Sequence, residues 1–268
     1  MSSQGKHSVL GVIVDAVGYD VAVKRIITAA KDRRPYAVTA LAVHGVMTGV
    51  MDRRHRYRLN HLDLVTADGQ PVRWALNMLY RARLRDRVYG PTLTLKLCPV
   101  AAAERLPLYL YGSSPHVLER LRSNLLSRFP GLQIVGSEAS KFRQATPEEK
   151  ADITERIRSS GARITLVGLG CPRQESFVYE YREALGMPLV AVGAAFDYHA
   201  GVAKEPPPSV QRAGLHWLYR LAQEPRRLWK RYVLLNPAYM GLLLLQALRL
   251  WRPDPNDSEP PAHELGWA

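Results

Sequence analysis

Short apolar runs recur along the chain at strand length: residues 8–14 (SVLGVIV), 36–41 (YAVTAL), 62–66 (LDLVT), 107–111 (PLYLY), 132–136 (LQIVG), 163–168 (RITLVG) and 188–193 (PLVAVG). They are too short for helices and most end at Gly, Asp or Thr, which predicts buried strands. Between them lie segments with helical spacing. In 19–31, Val21, Val23, Ile26, Ile27 and Ala30 share one side, and in 115–129 Val117, Leu118, Leu121, Leu125 and Leu126 do the same. Thr146-Pro147-Glu148-Glu149 predicts a helix start, with Thr as cap, Pro in the first position and acids in the first turn. Repeated strand–helix–strand units predict an α/β fold, a Rossmann-like, mainly parallel sheet with helices on both faces.

After residue 205 the strand signals stop. Pro206-Pro207-Pro208 marks a boundary, so residues 1–205 form the expected α/β domain and 206–251 a helical appendage. The appendage reads as three helices: 209–222, one opened by Glu224-Pro225, and a very apolar one at 237–251. The tail 252–268 is rich in Pro and acid, the composition of a disordered segment.

With 47% hydrophobic and 23% charged residues, the composition excludes disordered, collagen-like and disulfide-scaffold classes for the chain as a whole. Only Cys98 and Cys171 occur, without metal-ligand spacing, which points to a reducing compartment and a cytoplasmic protein. Asp15 interrupts the first apolar run, so the N-terminus reads as a strand and not a signal peptide. The most apolar stretch, Val233–Leu248, is broken by Asn236-Pro237, and no span across a membrane is expected.

The net charge of +13 points to an anionic partner, whether nucleic acid, anionic lipid or a phosphorylated ligand, or else serves solubility alone. Basic residues gather in Arg53-Arg54-His55-Arg56-Tyr57-Arg58, in the alternating Arg81, Arg83, Arg85 and Arg87, and between Arg220 and Arg231. The third group directly precedes the apolar stretch, which favours an anionic membrane surface over nucleic acid; sparse aromatics also argue against nucleic acid. The leucines at 242–245 would then meet lipid, or else pack on the sheet or in a homo-oligomer.

In a doubly wound sheet, ligands bind beyond the carboxyl ends of the strands. Four strand-end loops carry candidate chemistry. Asp68, in TADG, suits a general base, or a turn with Gly69. Gly112-Ser113-Ser114-Pro115 leads into a helix whose free N–H groups suit a phosphate, with Ser114 equally readable as a cap. Gly168 and Gly170 allow close backbone approach, and the next helix presents Arg173, Gln174 and Glu175. A dinucleotide fingerprint would need glycine at 173, so a UDP diphosphate held by Arg173 fits better. The fourth loop, Gly193-Ala194-Ala195, leads to Asp197, which suits a sugar hydroxyl or a structural cap. Arg87 is a further candidate donor to the diphosphate. No Asp-x-Asp or His-x-His pair, Walker lysine loop or G-x-S-x-G elbow is present, and no metal cofactor is expected.

Six segments together resemble the WecG/TagA/CpsF family of bacterial glycosyltransferases: TADG at 66–69, DRVYGPTL at 86–93, YGSS at 111–114, VGLGCPRQE at 167–175, FDYHAG at 196–201 and GLHWLYRLAQEPRR at 214–227. They stand in the family's order across about residues 8–240. The resemblance implies a GT-E-like fold and an inverting, metal-independent hexosyltransferase of cell-surface polysaccharide synthesis. Its donor would be a UDP-sugar, N-acetylmannosamine-type or hexose, and its acceptor a sugar on polyprenyl diphosphate at the inner face of the cytoplasmic membrane. It implies Asp68 as base, Thr39 and Gln174 as catalytic residues, and Arg220, Arg227 and Arg231 reaching the lipid diphosphate. The chain departs from the pattern at Ala40-Leu41, where an Asn commonly follows the strand Thr, at His216, where Glu is frequent, and at Lys204-Glu205-Pro206. These positions lie on the acceptor side and leave the sugar open. The competing class is a non-catalytic nucleotide-sugar or nucleic-acid binding module on a Rossmann-like core.

Overall fold

The computed structural model describes residues 5–264 and 266–268; for Pro208, Arg227, Lys230 and Arg231 it describes the backbone alone. The chain runs β1 (Lys6–Val9), β2 (Val12–Asp15), α1 (Tyr19–Lys31), β3 (Tyr36–Leu41), α2 (Val43–Met51), α3 (Arg53–Asn60), β4 (Leu64–Ala67), α4 (Gln70–Tyr80), α5 (Gly90–Ala103), β5 (Leu108–Gly112), α6 (Pro115–Arg128), β6 (Ile134–Glu138), α7 (Pro147–Ser159), β7 (Ile164–Gly168), α8 (Arg173–Leu185), β8 (Pro188–Ala191), α9 (Ala195–His199), α10 (Pro208–Arg212), α11 (His216–Gln223) and α12 (Pro225–Ala247). Eight strands form one sheet in the order β1-β2-β4-β3-β8-β7-β5-β6, parallel except for the β1–β2 pair. The α/β class expected from the alternating pattern is the fold observed.

Period-two alternation sorts the strand side chains onto two faces. Leu108, Leu110, Ile164, Leu166 and Val190 face one apolar layer with residues of α1, α5 and α6. Tyr109, Tyr111, Val167, Leu189 and Ala191 face the other, with α2, α4, α8 and part of α12. Burial on both faces is why these strands read as unbroken apolar runs.

The structure corrects five expectations, the first being that the helix expected at 209–222 is two, α10 and α11, parted at Gly214 (φ 74°). The run 8–14 is not one strand: Leu10 (φ 54°) and Gly11 (φ 86°) turn it into a two-residue hairpin of the kind that needs positive φ at both centres. The two helices expected after Glu224 are one, α12, with Pro237 inside it. The carbonyl this proline cannot bond belongs to Val233, which is exposed. The basic run 53–58 is largely internal. Arg56 donates to Gly49 O and Val50 O at 2.8 and 2.9 Å, and Arg58 pairs with Glu180 at 3.1 Å, both arginines being buried. The tail is seated on the body: Asn60 Nδ2 donates to Pro255 O at 2.9 Å, Arg53 pairs with Asp257 and Glu259, and Ala268 is buried.

The appendage also shares the core. Tyr239 and Leu243 of α12 are buried in the layer under α2 and α4, and Tyr239 Oη donates to Pro71 O at 3.2 Å. Gln246 clasps the N-terminal hairpin, donating to Ser8 O and accepting from Leu10 N, both at 3.0 Å. The opposite side of α12 carries exposed Trp229, Leu234, Leu244 and Leu245. The leucines at 242–245 are therefore divided: Leu243 packs, Leu244 and Leu245 do not. Among the described residues no helix is long and apolar enough to cross a membrane.

Candidate active site

The carboxyl ends of β3, β4, β5, β7 and β8 open onto one cavity of about 970 Å³, to which α11 and the first half of α12 also contribute walls. Its walls include Asp68, Arg87, Ser113, Ser114, Gly168, Gly170, Arg173, Gln174, Glu175, Asp197 and Arg220. Residues far apart in sequence thus meet where strand-end loops converge. Thr39 is buried beneath this wall and reaches it through Glu175. Gly112 does not line it; at φ 110° it packs so closely on β7 that a Cβ would lie 2.7 Å from Gly168 O. Its role is the turn and not ligand contact. The side chains of Arg227 and Arg231 lie outside the described residues.

Asp68 ends β4 at the cavity wall. Its amide donates to Leu41 O at 3.0 Å, its Oδ1 accepts from Gly90 N at 2.8 Å, and Arg87 Nη1 donates to its carbonyl at 3.3 Å. Burial raises the carboxyl above the usual aspartate range, opposed by Arg87, the Gly90 amide and Arg220. A carboxylate whose proton affinity is raised is better fitted to take a proton than an ordinary aspartate.

Behind it lies a polar network. Thr39 Oγ1 and Gln174 Nε2 both donate to Glu175 Oε1 at 2.9 Å. This leaves Gln174 Oε1 and Glu175 Oε2 buried with no hydrogen-bond partner. Buried acceptors without partners are rare and mark a place where a ligand donor can be received. His55 Nε2 is likewise unpartnered, and burial lowers its pKa, so the imidazole is neutral. Donor atoms of His55, Cys171 and Glu175 lie within 4.8 Å of one another, the group among the described residues able to hold a metal ion.

Anion donors ring the remaining wall. Arg87 is buried, its Nη2 donates to Gln211 Oε1 at 3.0 Å, and its guanidinium lies 4.2 Å from the Tyr89 ring centre. Of the alternating arginines, 81, 83 and 85 are exposed and only Arg87 turns inward. Arg220 enters from α11 and contacts Glu224 at 3.5 Å. Arg173 enters from the first turn of α8. Ser114 caps α6, accepting from Val117 N at 3.4 Å, so its hydroxyl has the structural role, while Ser113 holds the strained backbone (φ 57°) at the cavity edge. Asp197 lines the opposite side, its carbonyl accepting from Val202 N and Ala203 N.

Two further residues of the wall, Tyr89 and His216, are not among the candidates the sequence offers. Tyr89 Oη and His216 Nε2 lie 3.0 Å apart, with the rings edge to face. Burial first, then Arg87 and Arg220, push His216 down to about 3, and burial raises the Tyr89 phenol. The neutral imidazole can accept from the tyrosine hydroxyl and present its other nitrogen as a donor. Their signal was available in part: His216 replaces a frequent Glu, and Tyr89 stands within DRVYGPTL.

Compared with known protein families, residues 7–253 match the Glycosyl transferase WecG/TagA/CpsF family.

Proposed function

The chain belongs to the WecG/TagA/CpsF family and is a glycosyltransferase; we propose that it moves a sugar from a UDP-sugar to a sugar carried on polyprenyl diphosphate, with inversion, in cell-surface polysaccharide synthesis. The donor is an N-acetylmannosamine-type or hexose nucleotide. Inversion is a single in-line displacement: the acceptor hydroxyl attacks the anomeric carbon, and UDP leaves from the opposite face. The hydroxyl must lose its proton as the bond forms, and Asp68 is the base. Negative charge grows on the leaving diphosphate, and Arg87, Arg173 and Arg220 at the cavity wall stabilise it without recourse to a metal. Gln174, fixed by Glu175 and Thr39, offers its unpartnered Oε1 to a sugar hydroxyl.

The acceptor is a lipid, and the appendage suits a membrane surface at its cytoplasmic side. Exposed Arg226 and Trp229 and the outward leucines of α12 lie on the element that also walls the cavity.

The observation that carries this reading is an aspartate at a strand end sharing one cavity with three arginines. In Asp68→Asn, turnover of a UDP-sugar with a lipid-diphosphate acceptor should fall by about 10²–10⁴-fold, with UDP binding nearly intact. The wild-type rate should rise with pH through an inflection above the ordinary aspartate range, because the base form is populated only above the raised pKa. Retention of more than about a tenth of turnover removes Asp68 as base.

A further inference from the structure

Arg173 differs from Arg58 and Arg220 in what holds it, and from Arg87, which also donates to Asp68 O and Gln211 Oε1, in having aromatic rings as its contacts. Arg58 is paired with Glu180 and Arg220 with Glu224. Arg173 makes no ion pair among the described residues; its guanidinium lies instead 5.1 Å from the Trp267 ring centre and 5.7 Å from that of Phe142. An aromatic face orients a guanidinium without neutralising it, so the full charge stays available to an anion in the cavity.

Both rings belong to one assembly. Trp267 forms a bridge with Gln144, and Gly266 O accepts from Ala145 N. Ala268 N donates to Arg143 O at 3.0 Å, and Ser140 Oγ donates to Ala268 O at 2.5 Å. The tail thus lies along residues 140–145, the loop that carries Phe142 to the cavity wall. That loop is tied in turn to the β5 turn, Ser140 N donating to Ser113 O at 3.3 Å. Beneath, Gly266 N donates to Glu180 Oε2 at 2.8 Å and Tyr111 Oη donates to Trp267 O at 3.2 Å. The family match ends at residue 253, so this strap lies beyond the matched segment.

We infer that residues 266–268 are a strap that seats Arg173 for the donor diphosphate, with Trp267 as a positioning residue. The inference rests on reading the cavity as a UDP-sugar site. The indole N–H is buried without an acceptor, so the ring's face, and not its polar edge, is what the position uses. A phenylalanine would keep a face and drop the unpaired donor.

The test uses the full chain, with Trp267→Ala and Trp267→Phe. Calorimetry with UDP gives affinity, and steady-state kinetics split KM for the UDP-sugar from kcat. In Trp267→Ala, UDP affinity should fall and donor KM rise by about tenfold, kcat should fall as well because Arg173 also steadies the leaving diphosphate, and Trp267→Phe should recover most of all three while the folded fraction stays that of wild type. The strap is overturned if Trp267→Ala binds UDP as wild type does. It is also overturned if both variants lose kcat and affinity in parallel with the folded fraction, which is the signature of packing alone. Wild type that binds no UDP overturns the reading of the cavity itself, and the strap's ligand with it.

Discussion

Two basic runs of similar composition have opposite fates in this fold. Arg56 and Arg58 of the run at 53–58 turn into the body, where the carbonyls of Gly49 and Val50 and the carboxylate of Glu180 receive them, and Arg53 is paired by the tail. In the run that begins at Arg220, Arg220 itself faces the cavity and Arg226 faces solvent. The difference does not lie in the density of positive charge. It lies in whether acceptors elsewhere in the chain come to meet it. An arginine met by a buried carboxylate from a distant segment becomes structure, and one held only by a loose local pair, as Arg220 is by Glu224, remains available to an anion from outside.

The sharpest way to break this contrast is Arg58→Ala. It leaves the buried Glu180 carboxylate without its cation and should cost about 3–5 kcal/mol in urea denaturation. A cost within about 0.5 kcal/mol would place Arg58 among ordinary surface residues. Arg220→Ala should do the reverse: turnover falls about 10²–10³-fold while stability moves by less than about 1 kcal/mol, since its contact with Glu224 is a loose, partly exposed pair. Equal losses of stability from the two variants would erase the distinction. For vesicles of anionic lipid, Arg226→Ala should weaken binding by about fivefold, following about 1 kcal/mol per basic residue, and Arg53→Ala should leave it unchanged because Asp257 and Glu259 already hold that cation. The smallest expected effect is none: turnover should survive excess EDTA, because arginines stabilise the leaving group. Loss in EDTA with recovery on adding Mg²⁺ or Mn²⁺ would sink that account.

Much of the sheet was legible because its strands are buried on both faces and so appear as compact apolar runs, as at 164–168. Asp68 was legible for a different reason, its place at a strand end next to glycine. What sequence reading missed depends on distant partners. Leu10-Gly11 is apolar like its neighbours, and only the left-handed backbone reveals the turn. Arg58 meets a glutamate 122 residues away, and Tyr89 a histidine 127 residues away. The tail misled through composition: its prolines and acids argue for disorder, whereas its seating depends on backbone groups of Gly266, Trp267 and Ala268 that composition does not register.

The clasp of Gln246 on the hairpin has a consequence for how the chain reaches its final form. Its two hydrogen bonds join positions separated by 236 and 238 residues, so this edge of the sheet is completed by a helix synthesised long after it. Contacts of such span repay their loop-closure entropy only after the intervening elements have condensed, which places them late on the folding route. Until α12 docks, the turn amide of Leu10, the Ser8 carbonyl and the apolar bed for Tyr239 and Leu243 stay uncovered. A nascent chain stalled before residue 239 would present that uncovered face to whatever binds exposed apolar surface, and a released one would not.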